Sequence, residues 1–202
     1  MQRTVHLSAI YASLILILIA WGSGNAGPLD SPGATKALAC SACHGFGGNS
    51  PGNTVPIIAG MASDYFKKTI KDYAEGRRAS PEMEPFAKMV IQFGLDDIAG
   101  YFAEQKKQPT RIKVDPAAVT RGRAASAPCA VCHGPEGRGD PQKLIPDLRG
   151  QPPGYIKIQM VLWQKDKRKS EDATLNYLKN KLLSPLSEKT LGDLAAYYSS
   201  VK

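Results

Sequence analysis

A chain of 202 residues accommodates one large domain or two small ones. Its formal charge of +8 is unevenly spread: residues 27–108 carry nine Lys/Arg against nine Asp/Glu, and residues 109–202 carry sixteen against nine. The basic half suits an acidic partner. After residue 26 no stretch is apolar enough to cross a membrane, and no run of alternating β-branched residues suggests a sheet.

Residues 1–26 have the layout of an export signal. Arg3 supplies the charge, the stretch from Leu7 to Trp21 is almost wholly apolar, and Gly24, Asn25 and Ala26 offer small residues at a cleavage point. An uncleaved membrane anchor is the alternative, because the apolar run approaches the ~18 residues of a spanning candidate. Ser8, Ser13 and the lack of basic residues just downstream favour cleavage and a periplasmic location.

The next element is a short helix ending in Cys40-Ser41-Ala42-Cys43-His44, and the pattern recurs as Cys129-Ala130-Val131-Cys132-His133. C-x-x-C-H is the attachment signature of haem c. Two thiols add to the porphyrin vinyl groups, and the histidine that follows offers a nitrogen to the iron. These motifs use every cysteine, and every histidine except His6. A redox dithiol needs no trailing histidine, and a four-thiolate zinc site would leave both histidines as coincidence. The expectation is two covalent haem c groups, held by Cys40, Cys43, Cys129 and Cys132, with His44 and His133 as iron ligands. Nucleic acid is a poor partner for an exported haem protein.

Each motif leads into a Gly-rich stretch and then a proline loop, Pro56 to Gly60 in one copy and Pro146 to Gly150 in the other. A middle helix follows. Tyr65, Phe66, Ile70 and Tyr73 recur at helical spacing before Gly76, and Tyr155, Ile156, Met160 and Trp163 repeat the pattern before the basic run 165–169. Closing helices carry Leu95, Ile98 and Phe102, and Leu191, Leu194 and Tyr198, on one face. The polar, proline-broken stretch 105–111 reads as a linker. The fold class is therefore all-α, with an N-terminal unit 27–108 and a C-terminal unit 109–202. A buried porphyrin supplies the apolar centre that units of this size lack.

On the paired C-x-x-C-H-G, the Pro-x-x-x-Gly loops, the Arg-rich end of the middle helix and the closing Ala-Gly-Tyr-Phe-Ala and Ala-Ala-Tyr-Tyr-Ser, the chain resembles the dihaem cytochromes c of the c4 type. The cytochrome subunit of flavocytochrome c sulfide dehydrogenases is a related possibility. The resemblance implies two tandem cytochrome c domains related by a pseudo-twofold axis. It also implies that Pro56 and Pro146 offer their carbonyls to the proximal histidines, and that Met83, in a loop similar to the family's Met-x-Pro-x-Ala, is the sixth ligand of the first iron. Met89 is the competing donor.

The second half departs from this pattern, having no methionine after Met160. Counting forward from the arginines, an offset of 90 puts Ala173 at the place of Met83; counting back from the closing helices, an offset of 96 puts Lys179 there. The six extra residues are expected inside a ligand loop over 170–181. The second iron is then open, or bound by Lys179 as the neutral amine, with Asn176, Tyr177 and Met160 as further donors. The expected function is a periplasmic electron carrier, not an enzyme, between a dehydrogenase or quinol-oxidising complex and a terminal acceptor. Its partners are redox proteins with an acidic docking face, including membrane-associated oxidase or reductase complexes. The alternatives are the electron-accepting subunit of a larger oxidoreductase, or a small-molecule binder using an open second haem.

Overall fold

The structure is a computed structural model that describes residues 31–202. The expected signal segment 1–26 lies outside these residues. Among the described residues every regular element is helical and none is a strand. No described helix is long and apolar enough to cross a membrane.

In the first half, α1 (Ala34–Ala37), a 3-10 turn (Leu38–Cys40) and α2 (Ser41–His44) run on to the first motif. The middle helix α3 (Ser63–Ala74) buries Tyr65, Phe66, Ile70 and Tyr73 and stops at Gly76, whose φ of 71° ends the helix without a Cβ clash. Helix α4 (Met83–Glu104) is broken at Gly94 (φ 125°, ψ 73°), and its second part is the expected closing helix. The second half follows the same order with α5 (Pro116–Ala125), α6 (Ala127–His133), α7 (Pro153–Gln164), α8 (Ala173–Leu183) and α9 (Glu188–Ser200).

The stretch 170–181 is not a loop: most of it is α8, capped by Asp172, whose side chain accepts from the N–H groups of Thr174 and Leu175. Helix α8 begins 90 residues after α4, and α9 repeats the closing part of α4 at an offset of 96. The six extra residues therefore follow α8, around the connection 184–187, where the first half has only the Gly94 break. The local reason is helix propensity. Residues 173–183 (ATLNYLKNKLL) carry four Leu and two Lys behind an Asp cap, which favours helix over an open loop.

The halves meet along a seam with its own twofold symmetry. The N–H of Ala79 donates to the Lys167 carbonyl (2.9 Å), and the N–H of Lys169 donates to the Arg77 carbonyl (2.7 Å). Shifting either bond by 90 residues gives the other, so the pseudo-twofold passes between Arg78 and Arg168, which form an antiparallel bridge. Two further contacts lack symmetric mates. The Gln151 amide, buried across the seam, accepts from the Ile57 N–H (2.9 Å) and donates to the Ile57 carbonyl (2.7 Å). Asn53 caps α7 from the other half, its side chain accepting from Gly154 N–H and its carbonyl from Tyr155 N–H.

Candidate functional site

Both motifs are placed by one helix crossing, used twice. A Cβ added to Gly33 would lie 2.0 Å from the Asp97 carbonyl oxygen, and one added to Gly122 would lie 1.9 Å from that of Asp193. Only glycine lets the N-terminal helix of each half cross its closing helix this closely, beside Tyr101 in one copy and Tyr197 in the other. The crossing fixes the direction in which the C-x-x-C-H segment leaves the helix. Sequence reasoning missed both glycines, although the pair is visible as a repeat at an offset of 89.

At the helix ends the histidines are held alike. Nδ1 of His44 lies 2.9 Å from the Pro56 carbonyl oxygen, and Nδ1 of His133 lies 3.2 Å from that of Pro146. A carbonyl can only accept, so Nδ1 carries the proton in both rings and Nε2 keeps its lone pair for a metal. Burial pushes both imidazoles below their ordinary basicity, and at His133 the nearby Lys179 and Arg168 act in the same direction. Burial also pushes the Cys40 and Cys129 thiols up, the reverse of what an activated redox dithiol requires. All four cysteines are free. Among the described residues no three His, Cys, Asp or Glu side chains converge as a metal cage. Two separate sites, each with two thiols and one imidazole lone pair, fit covalent haem c and do not assemble a four-thiolate zinc site.

The sixth-ligand candidates are placed unevenly. Met83 opens α4, half-buried against the first-half core, with its N–H on Ser80 Oγ (3.2 Å). Its counterpart by helix start is Ala173, exposed at the first position of α8. Lys179 falls one and a half turns further on, at the register of Met89. Its Nζ lies 4.1 Å from the centre of the Trp163 ring. Burial, then Arg168, pushes its ammonium down to about 8. Met160 packs into the second core, as Ile70 does in the first. Both ends of the Asn176 amide are taken by the Ser170 backbone (2.5 and 2.7 Å), and Tyr177 is 64 % exposed.

Two C-x-x-C-H helix ends in two repeated helical domains, each with a carbonyl-oriented histidine, define a dihaem protein of the cytochrome c class. The Cytochrome c family profile matches residues 119–202. The chain is 30 % identical over 200 residues to cytochrome c4 of Pseudomonas aeruginosa, covering 95 % of this chain and 98 % of that one. It is 28 % identical over 221 residues to the thiosulfate dehydrogenase electron acceptor of Stutzerimonas stutzeri, covering 99 % and 97 %. Its fold matches the crystal structure of reduced recombinant cytochrome c4 from Pseudomonas stutzeri with a TM-score of 0.76 at 28 % identity, over 84 % of this chain and 97 % of that one. The chain belongs to the cytochrome c4 family. It is a dihaem electron-transfer cytochrome with two covalently bound haem c groups.

Proposed function

We propose that this chain is a periplasmic single-electron carrier that accepts electrons from a dehydrogenase and differs between its two halves in how the iron is closed. When bound, haem c supplies a one-electron change between ferric and ferrous iron. In this reading Cys40, Cys43 and His44 hold the first group with Met83 completing the coordination, and the unit 27–108 is one haem domain. Cys129, Cys132 and His133 hold the second, in the unit 109–202, with no methionine opposite the histidine. The observation that carries the reading is the helix register, which sets exposed Ala173 where Met83 stands. A closed methionine-ligated site favours fast transfer with little rearrangement. An incompletely ligated site favours a displaceable ligand.

Carbon monoxide tests this. The reduced protein should bind one equivalent per chain, at the second haem; binding at both counts against the asymmetry, and binding at neither counts against an open second iron. A second reading is favoured by the half-buried, carboxylate-free Lys179: its amine closes the second iron at neutral pH. Lys179→Ala should then convert a low-spin second haem to a high-spin one. An unchanged low-spin spectrum would exclude the lysine.

The relative described as a dehydrogenase's electron acceptor supports a dehydrogenase as donor for this chain too. Lys165, Lys167 and Lys169 are exposed at the end of α7 and suit an acidic partner, whereas Arg168 turns into the seam. Electron transfer to such a partner should slow with added salt, because exposed charges are screened over about 8 Å at physiological ionic strength. A salt-independent rate would count against docking through this face.

A further inference from the structure

Tyr198 occupies in α9 the place that Phe102 holds in α4. The carbonyl of each accepts from a loop glycine N–H, that of Gly60 for Phe102 (2.8 Å) and that of Gly150 for Tyr198 (2.9 Å). Each ring packs on the tyrosine before it, with centroids 5.1 Å apart in the first half and 5.0 Å in the second. Each also covers a glycine that follows its motif. A Cβ on Gly48 would lie 2.9 Å from the Phe102 ring, and one on Gly137 would lie 2.6 Å from the Tyr198 ring. The rings hold equivalent places, and the second half adds one hydroxyl.

That hydroxyl sits in a packed interior. Tyr198 is 2 % exposed, and among the described residues its Oη has no hydrogen-bond partner. Buried phenols ordinarily find one, as the adjacent Tyr197 does by donating to the Pro135 carbonyl (2.9 Å). A second hydroxyl accompanies it. Ser126 stands three residues before Cys129, where the first half has Ala37 before Cys40, and both are buried. Ser126 Oγ gives its proton to the Arg123 carbonyl (2.8 Å), so it offers lone pairs and no free proton. Cys129 packs on the core cluster that contains Tyr198, as Cys40 packs on the one that contains Phe102. Burial first, then Cys129, pushes the Tyr198 phenol above its ordinary range, so it stays a protonated donor at neutral pH.

Once haem c is attached, the Cys129 sulfur is a thioether, which accepts a hydrogen bond and cannot donate one. We propose that the Tyr198 hydroxyl donates a hydrogen bond to this sulfur and thereby raises the potential of the second haem. A donor proton at the porphyrin edge stabilises the electron gained on reduction, and a low-dielectric interior strengthens the effect. The first haem lacks this donor, because neither Phe102 nor Ala37 carries a hydroxyl. The inference does not depend on which ligand closes the second iron.

The test uses the dihaem holoprotein with its Tyr198→Phe and Ser126→Ala variants. Tyr198→Phe installs the residue that the first half already accommodates at this place. The midpoint of each haem is measured, and the thioether C–S stretching bands are followed by resonance Raman in ordinary and heavy water. In the wild type, deuteration should move the band of one thioether and leave the others in place. In Tyr198→Phe that isotope shift is lost, the midpoint of the second haem falls and that of the first does not move. Altered packing alone would not remove an isotope shift. Ser126→Ala leaves the phenol in place and retains the shift. Wild-type bands insensitive to heavy water would overturn the proposal without recourse to any variant. An isotope shift that survives Tyr198→Phe, or a second midpoint unchanged by it, would overturn it as well.

Discussion

At the scale of single residues, ionised side chains fasten α9 to α5 in the second half. Asp193, only 7 % exposed, accepts two bonds from Arg121 (both 2.8 Å) and one from Lys189 (2.8 Å). The Arg121 bond first, then Lys189, holds its carboxyl down at about 2, against 3.8 for a free aspartate. The folded value lies below the unfolded one, so the pairing stabilises fully above about pH 4 and is lost as pH falls toward 2. Asp193→Asn should therefore unfold at lower urea than the wild type at pH 6, and the gap should close as the solution approaches pH 2. A gap that persists unchanged would mean that the packing of α9 on α5, not the charge, sets the difference. Cys40, Cys43, His44, Cys129, Cys132 and His133 stand out in the sequence because haem c attachment demands adjacent residues. Gly33 and Gly122 do not, since the close approach that requires them is made with a chain segment more than 60 residues away.

At the scale of elements, the duplication allows each helix to be compared with its mate. Helix α3 ends at Gly76 in the left-handed region (φ 71°), and α7 makes the same turn with Asp166 at φ 53°. A left-handed conformation costs most L-residues about 1–2 kcal/mol, less for aspartate, whose short side chain tolerates it. The exposed Asp166–Lys169 pair (3.0 Å) returns little. Asp166→Gly should raise stability by about 0.5–1 kcal/mol, measured by urea unfolding with the haem spectrum unchanged. A loss of stability would show that the ion pair outweighs the backbone. The middle and closing helices were legible because their apolar residues recur at helical spacing. Helix α8 was not: none of its residues is buried, so no periodic core face marks it, and its start at Asp172 rests on a single capping side chain.

For the whole molecule, the seam makes two haem units into one. Gln151, 6 % exposed, satisfies both backbone groups of Ile57 across it. Gln151→Leu would leave a buried donor and acceptor unpaired, at about 1–3 kcal/mol each. The expected result is a loss of about 2–4 kcal/mol in urea unfolding, with both histidine sites intact. A change within 0.5 kcal/mol, roughly the scatter of ordinary surface substitutions, would mean that water replaces the amide. The seam could not be read from the chain in advance, because Gln151 and Asn53 lack repeat mates, and Arg78 and Arg168 served only as register marks.

As proposed, the halves differ in how each iron is closed, and the ferric sulfur-to-iron band reads that difference, since it counts methionine–iron bonds whatever else occupies the second site. One such bond is expected for two haems, abolished by Met83→Ala and retained in Met89→Ala. Two bonds per chain would mean that both irons carry methionine, and one that survives Met83→Ala would mean that another methionine closes the first iron.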